Sequence, residues 1–242
     1  MREFAVWAPK PERVRLDVDG VAHPMTRTEG GWWRATVDAM SNSRYGFLLD
    51  DDPAVLPDPR SPRQPEGVHA RSQLWEPAAA AWTDGDWAGR SVEGGVIYEL
   101  HVGTFTPTGT FDAAIEKLDH LADLGVDFVE VMPVNSFSGT HGWGYDGVLW
   151  YAVHEPYGGP DGLVRFVDAC HARGLGVLID VVFNHLGRRA TTCRGSGRTC
   201  RRQAIRGARA STSLTPALMR CAAISSTARC TGWSTFTPTA CG

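Results

Sequence analysis

Apolar and polar residues alternate with a period of two along several short stretches at the start of the chain. This alternation predicts β-strands at residues 4–7, 14–18, 32–37 and 45–49, with a turn at Asp19–Gly20 after the second strand. Several short strands at this spacing are typical of a small β-sandwich. We therefore predict an immunoglobulin-like sandwich at the N-terminal end.

A proline-rich stretch interrupts this pattern. Five prolines fall between residues 50 and 71, all within the run DDPAVLPDPRSPRQP, and such a run cannot continue a regular strand ladder. We interpret it as an ordered loop or a linker. A second stretch rich in Gly and Trp, residues 82–95, follows, and we place a domain boundary near residue 90.

Beyond residue 95 the period changes to apolar strand, amphipathic helix and apolar strand. We predict strands at 96–102, 128–132 and 177–183 and helices at 111–124 and 163–173. In the first helix Ile115, Leu118, Leu121 and Leu124 would share one face, and Gly125 would end it. Strands that alternate with helices indicate right-handed βαβ units in a parallel sheet. A doubly wound sheet and an eight-stranded barrel both fit this order.

Charge divides the chain into two different parts. All 27 acidic residues lie before Arg188, so that residues 1–187 carry a formal charge of -13. The remaining 55 residues carry ten Arg, no Lys and no acid, which gives +10, and they hold five of the six cysteines. The beginning of the chain has no apolar run long enough for a signal peptide, and no stretch approaches the length of a membrane span. We expect a cytoplasmic protein with no membrane partner.

Motifs in residues 1–187 resemble a known family in order and spacing. The segment DVVFNH at 180–185 looks like the first signature of the α-amylase superfamily, glycoside hydrolase family thirteen. The segments VIYELHVGTF (96–105), EVMPV (130–134), GWGYDG (142–147) and YGGP (157–160) follow the same family. Residues 56–69 resemble in particular a subfamily whose members release trehalose from malto-oligosyltrehalose. The resemblance implies a (β/α)8 barrel, of which residues 91–187 supply about three of eight strands.

The resemblance also implies three sugar-binding residues. Tyr145 would stack on the sugar in the subsite where the bond is cut, and His185 would bond its hydroxymethyl group. Asp180 would orient an arginine that precedes the nucleophile. These positions follow the C-terminal ends of strands, where barrels gather their active sites. The implied ligand is an α-glucan or malto-oligosyltrehalose, with no cofactor and no metal site.

A retaining glycosidase needs two carboxyl groups about 5–5.5 Å apart. The family's nucleophilic Asp and acid/base Glu both belong beyond residue 187, and neither is found there, because the tail has no acid. Asp180 cannot replace them, and we expect no second carboxylate to be placed with it. We therefore predict a chain without catalytic residues, inactive by itself.

Other residues have weaker assignments. Trp32 and Trp33 would either bind glucan, which makes residues 1–90 a binding module, or fill the core of the sandwich. We assign His101 and His141 structural or rim roles. A fragment of a branching or debranching enzyme is the alternative to the trehalose-releasing subfamily, and residues 56–69 argue against it.

The tail at 188–242 shows neither helical nor strand periodicity. A basic arm that binds nucleic acid usually contains Lys as well as Arg, and paired zinc ligands would need a Cys-x-x-Cys pair, which the tail lacks. Codons that encode residues 189–193 permit Ser-Gly-Asn-Tyr-Leu in the frame one base earlier, which is how the family continues. Residues 236–242 permit Phe-His-Ala-Asp-Gly-Leu-Arg at the same offset. We hypothesise a frameshift after Gly187, a disordered tail and no nucleic-acid partner.

Overall fold

The computed structural model describes residues 1–76, 82–182, 185 and 187, and the tail lies outside them. Residues 1–76 contain seven strands: β1 (Arg2–Trp7), β2 (Val14–Val18), β3 (Val21–Pro24), β4 (Thr26–Arg27), β5 (Trp32–Val37), β6 (Arg44–Leu49) and β7 (Ser72–Gln73). The four strands predicted from alternation correspond to β1, β2, β5 and β6. The other three strands were not predicted, because they are too short or too exposed to show alternation of apolar and polar residues.

The seven strands form two antiparallel sheets. Their orders are β1-β5-β4 and β3-β2-β6-β7. Apolar side chains of both sheets share one buried cluster, which contains Phe4, Val6, Val14, Leu16, Val18, Met25, Trp33, Tyr45 and Phe47. The two sheets therefore pack face to face, as the predicted sandwich requires. The predicted turn joins β2 to β3, and both of its residues have positive φ, 50° at Asp19 and 90° at Gly20, as tight hairpin turns demand.

The proline-rich stretch is an ordered loop that packs beside β6. The Tyr45 hydroxyl donates a hydrogen bond to Asp58 Oδ2 at 2.9 Å, and both side chains are buried. Burial raises the pKa of the Asp58 carboxyl from its ordinary value. Ser72 Oγ accepts bonds from the Asp58 amide and from Gln64 Nε2, at 2.9 and 2.6 Å. The amide and carboxylate of Asp58 and the Gln64 amide nitrogen are thus bonded to residues of the loop's neighbouring strands β6 and β7.

Residues 82–182 form an α/β arrangement. In chain order its elements are β8 (Ile97–Leu100), α1 (Val102–Phe105), α2 (Phe111–Ile115), α3 (Leu118–Asp123), β9 (Phe128–Val131), β10 (Asn135–Ser136), β11 (Leu149–Val153), α4 (Gly159–His171) and β12 (Gly176–Ile179). Strands β8, β9 and β12 form a parallel sheet with β9 in the centre. The predicted βαβ units are confirmed. Sequential strand order fits the start of a barrel.

Two predicted helices differ from the observed ones. The helix predicted at 111–124 is divided into α2 and α3, because the Lys117 amide bonds to the Ala114 carbonyl three residues back, at 3.0 Å, which tightens the turn. The buried face is then formed by Phe111, Ala114, Leu118 and Leu121, and Leu124 is 64% exposed. Helix α4 begins at Gly159, four residues before the predicted start, with a proline in its first turn.

The helices cover one face of the parallel sheet. Leu100, Val129 and Val131 from this face share a buried cluster with residues of α2, α3 and α4. The long loop after β9 contains a structure that was not predicted, since β10 pairs with β11 in an antiparallel ladder. No helix within residues 1–76 or 82–182 is long and apolar enough to cross a membrane.

The proline-rich loop contacts this α/β part directly. Arg63 donates to Glu155 Oε1 at 2.9 Å and to Asp161 Oδ2 at 2.8 Å, and Trp75 Nε1 donates to the other Asp161 oxygen at 2.6 Å. Val68 packs in a small buried cluster with residues of β11. The start of α4 and strand β11 are therefore held by residues 62–75.

His154 generates a prediction about stability. Its side chain is 3% exposed and stacks on Phe137 at 3.8 Å between ring centroids, and burial lowers its pKa to about 4. Because the unfolded state binds this proton from pH 6.5 downward, the stabilisation is present above pH 6.5 and is lost as the pH falls towards 4. In the native chain, protonation of His154 should lower the free energy of unfolding by an amount on the order of 3 kcal/mol between pH 7 and 4. The H154F variant cannot bind this proton, so we expect that contribution to the pH dependence to be missing.

Urea unfolding followed by circular dichroism at both pH values measures this difference. H120F, on an exposed position of α3, is the matched control and should keep the native pH dependence. Equal pH dependence in H154F and the native chain would contradict the assignment.

Candidate functional site

The carboxyl ends of the three parallel strands meet at one edge of the sheet. Beyond the strands the ladder continues for one more bond on each side of β9: the Met132 amide bonds to the Leu100 carbonyl at 3.0 Å and the Asp180 amide to the Val131 carbonyl at 2.9 Å. The backbone of Asp180 is thus fixed at this edge. Polar side chains that follow such strands converge, which makes this edge the usual place for a ligand in α/β proteins.

All three residues predicted to bind sugar lie together at this edge. The Tyr145 hydroxyl donates to Asp180 Oδ2 at 2.8 Å. His185 Nε2 lies 2.6 Å from the Tyr145 carbonyl oxygen, and since a carbonyl only accepts, the Nε2 proton makes this bond. Tyr145 is 40% exposed and His185 is also exposed. A ring, a carboxylate and an imidazole therefore border one open surface.

Glycines give the loop that carries Tyr145 its shape. Gly144 has φ of 88°, and a Cβ atom there would collide with the Pro133 carbonyl oxygen. A Cβ atom at Gly147 would collide with the Asn135 amide. The loop is therefore pressed against β10 and the end of β9; no larger residue fits at Gly144, where the obstacle is backbone, and a larger residue at Gly147 would displace the Asn135 side chain.

Negative charge surrounds the tyrosine hydroxyl. The hydrogen bond to Asp180, together with burial and the charges of Asp180, Glu99 and Glu130, raises the pKa of Tyr145 to about 12. The cause is physical, since ionisation would place a phenolate beside a carboxylate. Tyr145 therefore stays a hydrogen-bond donor throughout the physiological pH range.

Glu99 and Glu130 are residues that the sequence reasoning missed. They are paired in register on β8 and β9, and alternation places them on the sheet face opposite to the one that the helices cover. Asp180, two residues beyond Leu178, shares that face. The expectation that no second carboxylate is placed with Asp180 for catalysis stays a prediction. Register pairing, which a single sequence does not reveal, brings these carboxylates together.

Trp32, Trp33 and His141 do not take part in the hydrogen-bonded group of Tyr145, Asp180 and His185. Trp33 is buried in the sandwich core, where its Nε1 donates to the Ala8 carbonyl at 2.9 Å. The Arg60 guanidinium lies over the Trp32 ring at 5.0 Å. Of the two interpretations of this pair, glucan binding or filling of the sandwich core, the second describes Trp33. His141 is exposed and lies 2.9 Å from the Thr140 hydroxyl, at the rim of the loop.

Chemically, the arrangement suits a neutral ligand that is rich in hydroxyl groups. Aromatic faces bind the apolar faces of such ligands, and carboxylate and imidazole groups exchange hydrogen bonds with their hydroxyls. The concentration of carboxylates disfavours anions. Among the residues that the structure describes, no group of three or more His, Cys, Asp or Glu is arranged to hold a metal ion.

The family model of the alpha amylase catalytic domain matches residues 77–205 of the chain. The match includes all three of Tyr145, Asp180 and His185, and with it the parallel sheet whose carboxyl edge holds them. The chain belongs to the alpha-amylase family of glycoside hydrolases.

Within that family the chain is similar to malto-oligosyltrehalose trehalohydrolase of Mycobacterium tuberculosis, with 76% identity over 190 residues that cover 77% of this chain and 33% of the relative. A 1,4-alpha-glucan branching enzyme of Xanthomonas campestris is 31% identical over 202 residues, covering 75% and 28%. A crystal structure of a putative alpha amylase from Salmonella typhimurium superposes with a TM-score of 0.76 at 43% identity, covering 79% and 33%. The chain thus spans about a third of the length of the relatives it matches.

The bond between Tyr145 and Asp180 can be tested through the tyrosine. In the D180N variant the neighbouring charge is removed, and we expect the Tyr145 pKa to fall from about 12 towards its ordinary value of 10. At pH 11 the ionised fraction should rise from roughly one tenth to well above one half. The 13Cζ resonance of Tyr145 in labelled protein reports this fraction.

D119N provides a control, because Asp119 pairs with Arg173 on an exposed part of α3. It should leave the Tyr145 resonance unchanged. An unshifted Tyr145 pKa in D180N would show that the hydrogen bond does not form in solution.

Proposed function

We propose that residues 1–187 form the part of a trehalose-releasing glycoside hydrolase that holds the glucosyl unit of an α-glucan or malto-oligosyltrehalose. The observation that carries the proposal is the hydrogen-bonded group of Tyr145, Asp180 and His185 at the carboxyl edge of the parallel sheet. In this proposal the exposed Tyr145 ring stacks on the sugar, and His185 bonds its hydroxymethyl group. Asp180 fixes the tyrosine hydroxyl through the observed bond and orients an arginine of the complete enzyme.

Two observations favour the trehalose-releasing subfamily over branching or debranching enzymes. Identity to the trehalohydrolase of M. tuberculosis is 76%, compared with 31% for the branching enzyme. The proline-rich loop is also an integral part of the fold, since Ser61 and Gln64 are fully buried within it. That loop is where the sequence resembles the subfamily in particular.

The domain organisation and cellular location are part of the same proposal. We assign residues 1–90 to an immunoglobulin-like sandwich domain and residues 91–187 to the first part of a (β/α)8 barrel. A cytoplasmic location, with no nucleic-acid and no membrane partner, completes it. The separate buried clusters of the two parts support this division, since no residue belongs to both.

The catalytic step is assigned to residues that this chain does not carry. None of the acids of residues 1–187 matches the nucleophile or the acid/base of the family, and the tail contains no acid. The hypothesis of a frameshift after Gly187 accounts for the tail. The curated relatives match 76–77% of the chain, which is the share of residues 1–187, whereas the family model reaches residue 205. The DNA sequence beyond the Gly187 codon decides this question.

The alternative function, an α-glucan-binding module in residues 1–90, has less support. Trp33 is a core residue, and the Trp32 ring is covered by Arg60 on one face. The exposed tryptophan of this part is Trp7, at 46%, and its Nε1 donates to the Gly30 carbonyl at 2.9 Å. No paired aromatic platform is therefore formed by Trp32 and Trp33.

Sugar binding by Tyr145 is tested by titration calorimetry of the 242-residue chain with maltoheptaose. We expect Y145A to weaken binding by about fivefold to tenfold, which corresponds to the loss of one stacking contact of about 1 kcal/mol. Y145F retains the ring and should lose less. The control W7A removes an exposed aromatic of the sandwich and should bind as the native chain does. Equal affinities of Y145A and the native chain would contradict the assignment.

Absence of catalysis gives a second test. We expect the purified 242-residue chain to release no trehalose from malto-oligosyltrehalose, because a retaining mechanism needs a carboxylate pair that is absent at the family's positions. Trehalose is measured by chromatography against a mock preparation. Release above that background would overturn the prediction and would direct attention to Glu99 and Glu130.

A further inference from the structure

We propose that His101, together with Tyr157, is a positioning residue that fixes the loop presenting Tyr145. Neither residue touches the proposed sugar surface, and both act on the backbone of Gly142, three residues before Tyr145. The functional meaning of this inference rests on the proposed sugar-binding role of Tyr145. The structural part does not depend on it.

The contact is made at the Gly142 carbonyl oxygen. His101 Nε2 lies 2.9 Å from this oxygen, and the Tyr157 hydroxyl lies 3.3 Å from it. Nε2 also lies 3.0 Å from the Tyr157 hydroxyl. Because the carbonyl only accepts, the proton is on Nε2, and the Thr104 hydroxyl, 3.1 Å from Nδ1, donates to the other nitrogen. In that tautomer both ring nitrogens of His101 have a hydrogen-bond partner.

The cluster is rigid on the side away from the loop. Tyr157 is buried and contacts the rings of Phe111, Phe137 and His154. Burial raises the pKa of Tyr157 to about 12, so that its hydroxyl remains a donor. A Cβ atom at Gly103 would lie 2.9 Å from the His101 ring and 3.1 Å from the Tyr157 ring. The two donors therefore have little room to move.

The residues that connect Gly142 to Tyr145 are closely packed. A Cβ atom at Gly142 would lie 3.0 Å from the Phe137 ring, and Gly144 is pressed against the Pro133 carbonyl. Trp143, which is 60% exposed, packs its ring against His101 at 4.9 Å between centroids. The segment is thus held at Gly142 and Gly144, and the next residue is Tyr145, whose hydroxyl meets Asp180.

This arrangement explains why a buried histidine lies at the end of β8. The sequence assigned His101 a structural or rim role without naming its partners. The structure shows both ring nitrogens bonded, one of them to the backbone of the loop that carries Tyr145. Loss of this bond would let the loop relax and would weaken the hydrogen bond between Tyr145 and Asp180 without removing either residue.

The experiment compares H101F, H101Q and the control H171F in the 242-residue chain. Phenylalanine keeps the ring that contacts Trp143 and Tyr157 but removes both nitrogens. Glutamine places an amide donor near the position of Nε2 and should rescue the contact. H171F removes a half-buried histidine that bonds to Asp84 and stacks on Trp87, away from Tyr145. The readout is the ionised fraction of Tyr145 at pH 11, measured from its 13Cζ resonance, with circular dichroism at the same pH to verify folding.

We expect roughly one tenth of Tyr145 to be ionised in the native chain, in H101Q and in H171F, and more than one half in H101F. A folded H101F with the native fraction would overturn the inference. If H101F does not fold, Y157F decides, because it removes a single hydroxyl. A rise in its ionised fraction supports the inference, and a native fraction overturns it.

Maltoheptaose affinity separates this inference from the proposed function. If the native chain binds no maltoheptaose while the Tyr145 resonance shifts in H101F, the sugar-binding proposal fails and the positioning role stands. If the native chain binds and H101F binds equally well with an unshifted resonance, the positioning role fails alone.

Discussion

The architecture depends on the ion pairs that Arg63 makes with Glu155 and Asp161. This guanidinium comes from the proline-rich loop, and its partners lie at the beginning of α4 and in the turn before it. Partly buried contacts, in which one guanidinium binds two carboxylates, hold geometry better than exposed single pairs do. Asp161 also accepts from Trp75 and lies in the first turn of α4, where negative charge is favoured by the helix dipole. The proline-rich loop thus fixes the helix that packs behind the parallel sheet.

Strand β11 connects the proline-rich loop to the candidate site. The Val153 amide bonds to the Pro62 carbonyl at 3.2 Å, and β11 pairs with β10, which precedes the loop with Tyr145. The proposed binding surface is therefore supported from two directions. The parallel sheet places Asp180, and the hairpin and the proline-rich loop place the segment that carries the tyrosine. Contacts between the two parts of the chain are consequently relevant to the site, although none of their residues touches it.

The sequence allowed several of these features to be predicted and not others. Strands β1, β2, β5 and β6 were predictable because alternation of apolar residues follows directly from burial of one sheet face. That Tyr145, Asp180 and His185 lie at one edge of the sheet was predictable through family motifs, since each follows a strand end or lies in the loop beside it. The break between α2 and α3 was not, because it depends on one backbone bond at Lys117. The pairing of Glu99 with Glu130 and the bond of His101 to Gly142 were also missed, since they depend on strand register and on contacts across 41 residues of chain.

The glycines of the loop that carries Tyr145 limit how the sequence of this loop can change. A Cβ atom would overlap Pro133 at Gly144 and Asn135 at Gly147 and would lie 3.0 Å from the Phe137 ring at Gly142, whereas Gly20, Gly67 and Gly139 meet nothing within 4 Å. Any substitution in the first set forces a neighbouring group to shift, whereas the second set is fixed only by its positive φ. Mutational drift should therefore tolerate Asn or Asp at the second set, because these residues adopt the left-handed region at modest cost. At the first set the same changes would displace the loop, so its evolution is confined to the residues between the glycines.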